Sequence, residues 1–532
     1  MTAANFSAAN IHNLTTAIII PHLIGGILTS SLETNTDCKL KTLYSAYFFI
    51  VKDIIIELEK KFLFFGLDKS KILDQITLFC YFRVIMARKK QKSVTVGFVS
   101  LGCPKNQVDS ERMLAEIAQA GFLITAEPDN ADVVVINTCG FIAPAKAESL
   151  EAIRHAVGCK LNGTVKKVIV AGCLSERLGE KLFNQADGID AVIGLGQRDN
   201  IARTIKKTLS CGQPAAYLNQ SPHSISDDRT RLLINPGHWA YLRISEGCNH
   251  RCSFCTIPAI RGSFRSKPKE LILAEAAELV SAGVVELNII AQDTTYYGRD
   301  LKIKNGLPAL VMELEKIADL AWIRLMYLYP AGIDEKLIET IAKSENIVHY
   351  LDIPIQHVND KILKAMRRPD TKDRLCRLIE SLRSAIPDIV LRTTLITGFP
   401  GETDRQFAEL LDFIKWARFD ALGCFKFYAE SGTAAAKMPG QVPDQVKQQR
   451  LKELMLTQQK IAFAKNKNRI GSKLTCLVDS VNNGGTGQGR FYGQAPDIDS
   501  ICIIKSPSAK PGTFINAKVV DTKNYDLIVE QI

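Results

Sequence analysis

Beyond residue 93, short apolar runs alternate with segments of helical periodicity. The first four runs are Val94–Leu101, Val133–Ile136, Val168–Ala171 and Ala191–Ile193. They are short enough for buried strands, and the segments between them are long enough for helices. Strands that alternate with helices are typical of a parallel sheet with crossover connections. We therefore expect an α/β fold that begins with a Rossmann-like parallel-sheet domain over residues 94–210.

The same alternation starts again after residue 234. Its six strand candidates are Tyr241–Ile244, Val285–Ile290, Trp322–Leu328, Val348–Ile353, Ile389–Ile396 and Ala421–Phe427. The helix that follows the fifth strand begins with a candidate capping box, formed by Thr403 and Gln406. Six successive strand and helix units predict a partial (β/α)6 barrel over residues 234–464.

Past residue 466 the apolar runs become shorter and are separated by glycine-rich turns. The runs are Leu474–Asp479, Ser500–Ile504, Thr513–Asp521 and Leu527–Glu530. This pattern predicts a small β-barrel over residues 466–532. From Lys467 to the end, eight Lys and Arg residues stand against six Asp and Glu residues. So small an excess does not require RNA binding, although RNA contact stays open.

The first 85 residues follow none of these patterns. Their apolar run Thr15–Ser31 is interrupted by Pro21 and is shorter than a membrane span, and no basic segment precedes it as in a signal peptide. Met86 is a plausible start followed at once by a strand pattern. We interpret residues 1–85 as an extension of unknown role, for which a start-site artefact is one explanation. We expect no membrane contact.

Composition agrees with a folded enzyme-sized chain. Of the 532 residues, 46% are hydrophobic and 23% are charged, which excludes a disordered chain. The net charge of +11 is spread along the chain and identifies no anionic partner. Fourteen cysteines without a secretory signal indicate a reducing cytoplasm, where thiols serve as metal ligands or catalysts.

Three of these cysteines lie in one loop after a strand candidate. Cys248, Cys252 and Cys255 are spaced so that one loop can wrap three thiolates around an iron–sulfur cluster, leaving one iron open. A structural zinc site is an alternative, but it needs a fourth ligand, and the nearby His250 falls inside the loop. Three unrelated buried thiols are another alternative.

A second set of three is dispersed. Cys103, Cys139 and Cys173 each close a strand candidate of the first domain. The carboxyl ends of neighbouring parallel strands meet along one edge, so these thiols are expected to converge and to hold a second three-thiolate cluster. Buried thiols that end core strands are the alternative. The remaining cysteines share no pattern and are interpreted as structural: Cys38, Cys80, Cys159, Cys211, Cys376, Cys424, Cys476 and Cys502.

The loop from Cys248 to Cys255 resembles the radical S-adenosylmethionine (SAM) superfamily. The segment Thr394–Glu402, in which glycines end a predicted strand, looks like the glycine motif of the same superfamily. This resemblance implies that the open iron binds SAM and that the reduced cluster cleaves it to a 5′-deoxyadenosyl radical. The glycine motif makes Gly398 and Gly401 candidates for SAM binding, and the same role is proposed for Glu402, Gln292 and Gln356 because they lie at predicted strand ends.

Together the two cysteine sets and the three domains resemble the methylthiotransferases, with a C-terminal TRAM domain. The segments that match the RimO type are Leu101–Glu111, Glu246–Cys255, Ile289–Thr295, Tyr350–His357 and Ala495–Asp499. The resemblance implies two [4Fe-4S] clusters, with SAM as both radical source and methyl donor. It implies conversion of an aspartate Cβ–H of the small-subunit ribosomal protein twelve into Cβ–S–CH3. The implied partners are that protein or the ribosome, a sulfur donor and an electron donor.

Two other functions remain open at this point. A tRNA adenosine methylthiotransferase would share all six cysteines, and a non-catalytic iron–sulfur redox protein would need neither the barrel nor the glycine motif. Asp293 and Arg392, which also lie near predicted strand ends, are further candidates for positioning cofactor or substrate. The pattern identifies no catalytic acid or base.

Overall fold

The computed structural model describes residues 93–218, 227–482 and 484–532. The predicted extension over residues 1–85 lies outside the described residues, as do Cys38 and Cys80. No helix of the described part is long and apolar enough to cross a bilayer.

The N-terminal unit is a parallel sheet flanked by helices. Its strands are β1 (Thr95–Ser100), β2 (Leu123–Thr125), β3 (Val133–Thr138), β4 (Lys167–Gly172), β5 (Ala191–Ile193) and β6 (Ala215–Tyr217). Its helices are α1 (Pro104–Gln119), α2 (Ala143–Leu161), α3 (Cys173–Leu178) and α4 (Ile201–Ser210). The strand order is β2-β1-β3-β4-β5-β6, and every neighbouring pair is parallel. The chain reverses its direction of travel across the sheet between β1 and β3, which is where ligands bind in such folds.

The central unit is an open parallel barrel. Its strands are β7 (Trp239–Arg243), β10 (Glu286–Ile290), β11 (Trp322–Leu325), β12 (Ile347–Asp352), β13 (Val390–Thr397) and β14 (Ala421–Lys426), and β8 (Ser245–Glu246) pairs with β9 (Arg265–Ser266) in a small ladder. The helices are α5 (Ile257–Arg261), α6 (Lys269–Ser281), α7 (Gly306–Leu314), α8 (Glu335–Lys343), α9 (Asp360–Ala365), α10 (Lys372–Ala385), α11 (Asp404–Ala417) and α12 (Asp444–Asn468). Each large strand pairs with the next in chain order, from the edge strand β7 to the edge strand β14. The six predicted units and the partial barrel are confirmed, and so is the capping box of Thr403 and Gln406 at α11.

The C-terminal unit is a closed five-stranded barrel. Its strands are β15 (Lys473–Val481), β16 (Thr486–Phe491), β17 (Cys502–Lys505), β18 (Phe514–Lys523) and β19 (Asp526–Gln531). The strands close in the order β15-β16-β17-β19-β18, and β17 and β19 are parallel whereas the other pairs are antiparallel. Cys476 and Cys502 are buried in its core, as expected of structural thiols.

Packing connects this small barrel to the parallel barrel. Successive residues of a strand point to opposite faces. In β7, Leu242 packs in the core that includes the surrounding helices, whereas Tyr241 belongs to the apolar cluster that includes Cys476 and Val519 of the small barrel. The inner face of the parallel barrel and the core of the C-terminal barrel are therefore one continuous apolar cluster.

Candidate active site

The first cysteine set lies at the switch point of the N-terminal sheet. Cys103 caps the start of α1 directly after β1, Cys139 follows β3, and Cys173 opens α3 directly after β4. Since β1, β3 and β4 are adjacent and parallel, their carboxyl ends deliver the three residues to one edge.

Close approach within this set depends on glycine. A Cβ on Gly102 would lie 2.9 Å from the Cys139 Cβ, and Gly102 adopts a φ of +99° that side chains disfavour. Burial raises the pKa of Cys173 to about 12; Arg261 opposes this shift, and the nearby Cys103 and Cys139 add to it. The structure therefore brings together three cysteines that are far apart in sequence.

The second set occupies the loop between β8 and α5. The Cys255 amide donates to the Cys252 carbonyl at 3.2 Å, and the Ile257 amide donates to the Cys255 Sγ at 3.4 Å. Burial raises the pKa of Cys248 to about 11 and that of Cys255 to about 12. Buried thiols of this kind stay protonated unless a cationic metal centre binds them, so the donor set fits an iron–sulfur cluster.

His250 is engaged elsewhere in the same loop. Its Nε2 lies 2.6 Å from Asp293 Oδ2, and its ring stacks on Tyr329 at a centroid distance of 3.9 Å. Asp293 also accepts hydrogen bonds from the amide and hydroxyl of Thr295. These contacts fix the loop against the carboxyl end of β10, and they take up the imidazole that a zinc site would need as its fourth ligand.

The glycine segment forms a tight turn after β13. Gly398 and Gly401 have φ values of +70° and +83°. The Gly398 amide donates to Glu402 Oε2 at 2.9 Å, and Arg450 Nη1 donates to Glu402 Oε1 at 2.9 Å. The Glu402 side chain is fully buried with these partners, so it fixes the shape of the turn.

The other polar candidates lie in or after three different strands of the barrel. Gln292 follows β10 and donates to Glu246 Oε1 at 3.1 Å, while its own Oε1 is buried without a hydrogen-bond partner in the described structure. Gln356 has a strained φ of +69° and bridges to Leu395 of β13. Arg392 instead lies near the start of β13, not at its end. It pairs with Asp352 at 2.8 Å and Asp499 at 3.3 Å, so it connects the two barrels.

Buried ion pairs hold the N-terminal unit onto the parallel barrel. Asp109 of α1 accepts from Arg198 at 3.1 Å, from Arg243 at 2.7 Å and from Arg261 at 3.0 Å. Burial alone would raise the pKa of Asp109, but these three guanidinium groups lower it to about 2. Arg261, which ends α5 shortly after the second cysteine set, also donates to Cys173 Sγ of the first set at 3.4 Å. Arg261 therefore links the helix after the second cysteine set to Cys173 of the first set across this interface.

Comparison with known proteins identifies the family. Family models match residues 95–194 (Uncharacterized protein family UPF0004), 242–414 (Radical SAM superfamily) and 470–532 (TRAM domain). A curated ribosomal protein uS12 methylthiotransferase RimO from Pelotomaculum thermopropionicum is 45% identical over 443 residues, which are 82% of this chain and 99% of the relative. The protein of the same name from Geobacter sulfurreducens is 43% identical over 84% of this chain and 100% of the relative. This chain belongs to the RimO family of methylthiotransferases. A solved structure of the radical SAM methyltransferase TsrM from Kitasatospora setae, 14% identical, is similar with a TM-score of 0.46 over 62% of this chain and 73% of that chain.

Two further residues of this RimO-family chain lie near the cysteine sets and carry no recognisable signal in the sequence. Lys105 of α1 is 6% exposed, and its Nζ lies 3.0 Å from the centroid of the Tyr327 ring. Tyr327 follows β11 and has a φ of +59°, which is strained for an aromatic residue. Lys105 lies in the matching segment Leu101–Glu111, but nothing in the pattern indicated that a lysine at the start of a helix would be buried.

Proposed function

We propose that this protein replaces a Cβ–H of an aspartate in ribosomal protein uS12 with Cβ–S–CH3. One observation carries the proposal: two domains each hold a three-cysteine set, and Arg261, which ends the helix after the second set, donates to Cys173 of the first set across the buried interface. A single set would suffice for radical generation, and a second set is what sulfur insertion adds. The curated relatives, which carry the name of this activity, support the same reaction.

The enzyme uses two [4Fe-4S] clusters and SAM. We assign Cys103, Cys139 and Cys173 to the first cluster and Cys248, Cys252 and Cys255 to the second. SAM would lie at the glycine turn, with Gly398, Gly401, Glu402, Gln292 and Gln356 around it. When bound, the second cluster supplies the electron that releases the 5′-deoxyadenosyl radical from SAM, and the first helps to supply sulfur.

The side chains of this chain then have positioning tasks. His250 and Asp293 fix the second cysteine loop, and Glu402 with Arg450 fixes the glycine turn. The buried Gln292 Oε1, which has no partner among the described residues, is an acceptor for an N–H or O–H of the bound cofactor.

The partners follow from the substrate. We propose that the protein acts in the cytoplasm, on free uS12 or on the ribosome, and that separate donors supply sulfur and electrons. RNA contact by the TRAM domain is an additional proposal, which its small positive charge supports.

We propose residues 94–210, 234–464 and 466–532 as the three domains. The structure carries the first sheet on to Tyr217 and α12 on to Asn468.

The substrate assignment is tested by mass spectrometry. The anaerobically reconstituted full chain is incubated with SAM, a reductant and either uS12 or bulk tRNA. We expect 5′-deoxyadenosine and one added methylthio group on uS12, with none on tRNA. Product on tRNA alone would favour the adenosine methylthiotransferase, and intact clusters without SAM cleavage would favour the redox protein.

The cluster assignment is tested by replacing each cysteine set with alanines. Iron and sulfide should fall by about half in either triple variant, and each remaining cluster should keep its own electron paramagnetic resonance signal. Cys211→Ala, a change at an exposed cysteine, is the matched control and should leave the iron content unchanged. Loss of both clusters from either triple variant would contradict two independent sites, provided that the variant remains folded by circular dichroism.

A further inference from the structure

Lys105 is a buried cation without an anionic partner. It is 6% exposed, and among the described residues no carboxylate lies within ion-pair distance of its ammonium group. Its Nζ packs on the face of the Tyr327 ring, 3.0 Å from the ring centroid. Burying an ammonium group is costly unless it is paired, so its location calls for an anion supplied from outside the chain.

The charges around Lys105 are already balanced among themselves. Glu246 is held by Arg243 at 2.8 Å and by Arg261 at 3.1 Å. Asp352 is held by Arg392 at 2.8 Å. The carboxylates near Lys105 thus have arginine partners of their own, and Lys105 is left without a carboxylate partner.

Lys105 also lies between the two cysteine sets. It follows Cys103 of the first set by two residues, and it contacts Tyr327 after β11, close in sequence to Tyr329, which stacks on His250 of the second cysteine loop. It occupies the first turn of α1, a helix of 16 residues that has no acidic residue in that turn, so the helix dipole adds to its positive potential. An anion at Lys105 would therefore sit beside both clusters.

The Tyr327 ring against Lys105 is held by a strained but well-bonded backbone. The Tyr327 amide donates to Asp352 Oδ2 at 3.2 Å, and its carbonyl accepts from the Thr294 amide at 3.1 Å. These bonds keep a tyrosine at a φ of +59°. Strain of this kind persists where surrounding contacts fix the position of a functional group.

We propose that Lys105 binds the side-chain carboxylate of the substrate aspartate. This assignment rests on the proposed function and deepens it. In aspartate the reacting Cβ is bonded directly to the carboxylate carbon, so an ion pair to Lys105 places Cβ between the cysteine set that generates the radical and the set that supplies sulfur. The same ion pair would select aspartate over its isosteric amide.

The test compares uS12 with a uS12 variant in which the target aspartate is asparagine. Binding of both to the reconstituted full chain is measured by titration, for the wild type and for Lys105→Met. A hydrogen bond to a charged group predicts about ten- to hundredfold tighter binding of the aspartate form by the wild type. Lys105→Met should bind the two forms about equally, and Lys105→Arg should keep most of the preference.

Lys361→Met removes an exposed lysine and should keep the full preference for aspartate. Iron content and circular dichroism report whether each variant is folded and loaded; if Lys105→Met is not, Lys105→Gln replaces it. If a loaded Lys105→Met or Lys105→Gln variant still prefers uS12 with aspartate over uS12 with asparagine, the assignment is overturned. This holds even if the variant makes no product, because that result would indicate that Lys105 binds anionic sulfur instead. Failure of the wild type to modify uS12 would overturn the proposed function itself, which is a separate outcome.

Discussion

Glu286 of β10 is the residue whose loss should most weaken the attachment of the C-terminal barrel. Its carboxylate is fully buried between Arg324 of β11, at 2.9 Å from Nε, and Arg490 of β16, at 2.6 Å from Nη1. Arg490 also pairs with Asp479 of β15. Glu286 thus joins the parallel barrel to the C-terminal barrel by charge as well as by packing.

The change Glu286→Gln keeps the shape and removes the charge. At these distances and an effective dielectric constant of about 20, each attraction is worth about 6 kcal/mol before desolvation. The glutamine would face two buried guanidinium groups with one carbonyl acceptor. Removing one partner of a buried ion pair costs about 3–5 kcal/mol in measured cases, and we expect a loss of that size.

Thermal unfolding and limited proteolysis measure this loss. We expect Glu286→Gln to lower the temperature of the first unfolding transition and to expose the end of α12 to trypsin, at Lys467 or Arg469. Glu530→Gln is the matched control, because Glu530 pairs with Lys505 on the exposed surface of the same barrel. That surface change should cost about 0.5 kcal/mol or less. Equal behaviour of the two variants would refute the role given to Glu286.

Two further changes test the site and the sheet. Arg261→Met should lower the reduction potential of the first cluster, because it removes a hydrogen-bond donor and a positive charge next to Cys173. A potentiometric titration followed by paramagnetic resonance measures this potential. The control Arg203→Met, at an exposed arginine, should leave it unchanged. The second change is Asp132→Asn. The pKa of Asp132 is lowered from 3.8 to about 2, mainly by the hydrogen bond from Lys166. This ionised carboxylate stabilises the fold above pH 4 and loses that effect as the pH falls towards 2. The stability difference between wild type and Asp132→Asn should shrink over that range, and a difference independent of pH would contradict the reasoning.

Most strands were predictable because each buried strand is a short apolar run. The exceptions have physical reasons. Strands β2 and β6 are three-residue edge strands, so their apolar runs are too short to stand out, and Leu123 and Ile124 of β2 are exposed although they are apolar. Strand β16 reads Thr-Gly-Gln-Gly-Arg-Phe, which looks like a turn. A Cβ on Gly489 would lie 2.4 Å from the Leu477 carbonyl, so close packing of the barrel selects glycine where strand propensity disfavours it.

The candidate site divides in the same way. The local loop from Cys248 to Cys255 could be found from spacing alone, because one turn of chain holds all of its thiols. Cys103, Cys139 and Cys173 required the strand pattern as well. The partner of Glu402 could not be predicted, because Arg450, which fixes its direction, lies 48 residues later in the chain.

The sequence by itself determined which chemical groups the protein carries. The two cysteine sets, the barrel and the glycine turn can all be recognised from local sequence patterns. The tertiary structure alone decided how these parts face each other. Buried charges such as Asp109, Asp228 and Arg261 join the domains, and they place the unpaired Lys105 between the two cysteine sets. Such pairs are remote in sequence and have no periodicity, because each is specified by the fold that buries it and not by its neighbours in the chain.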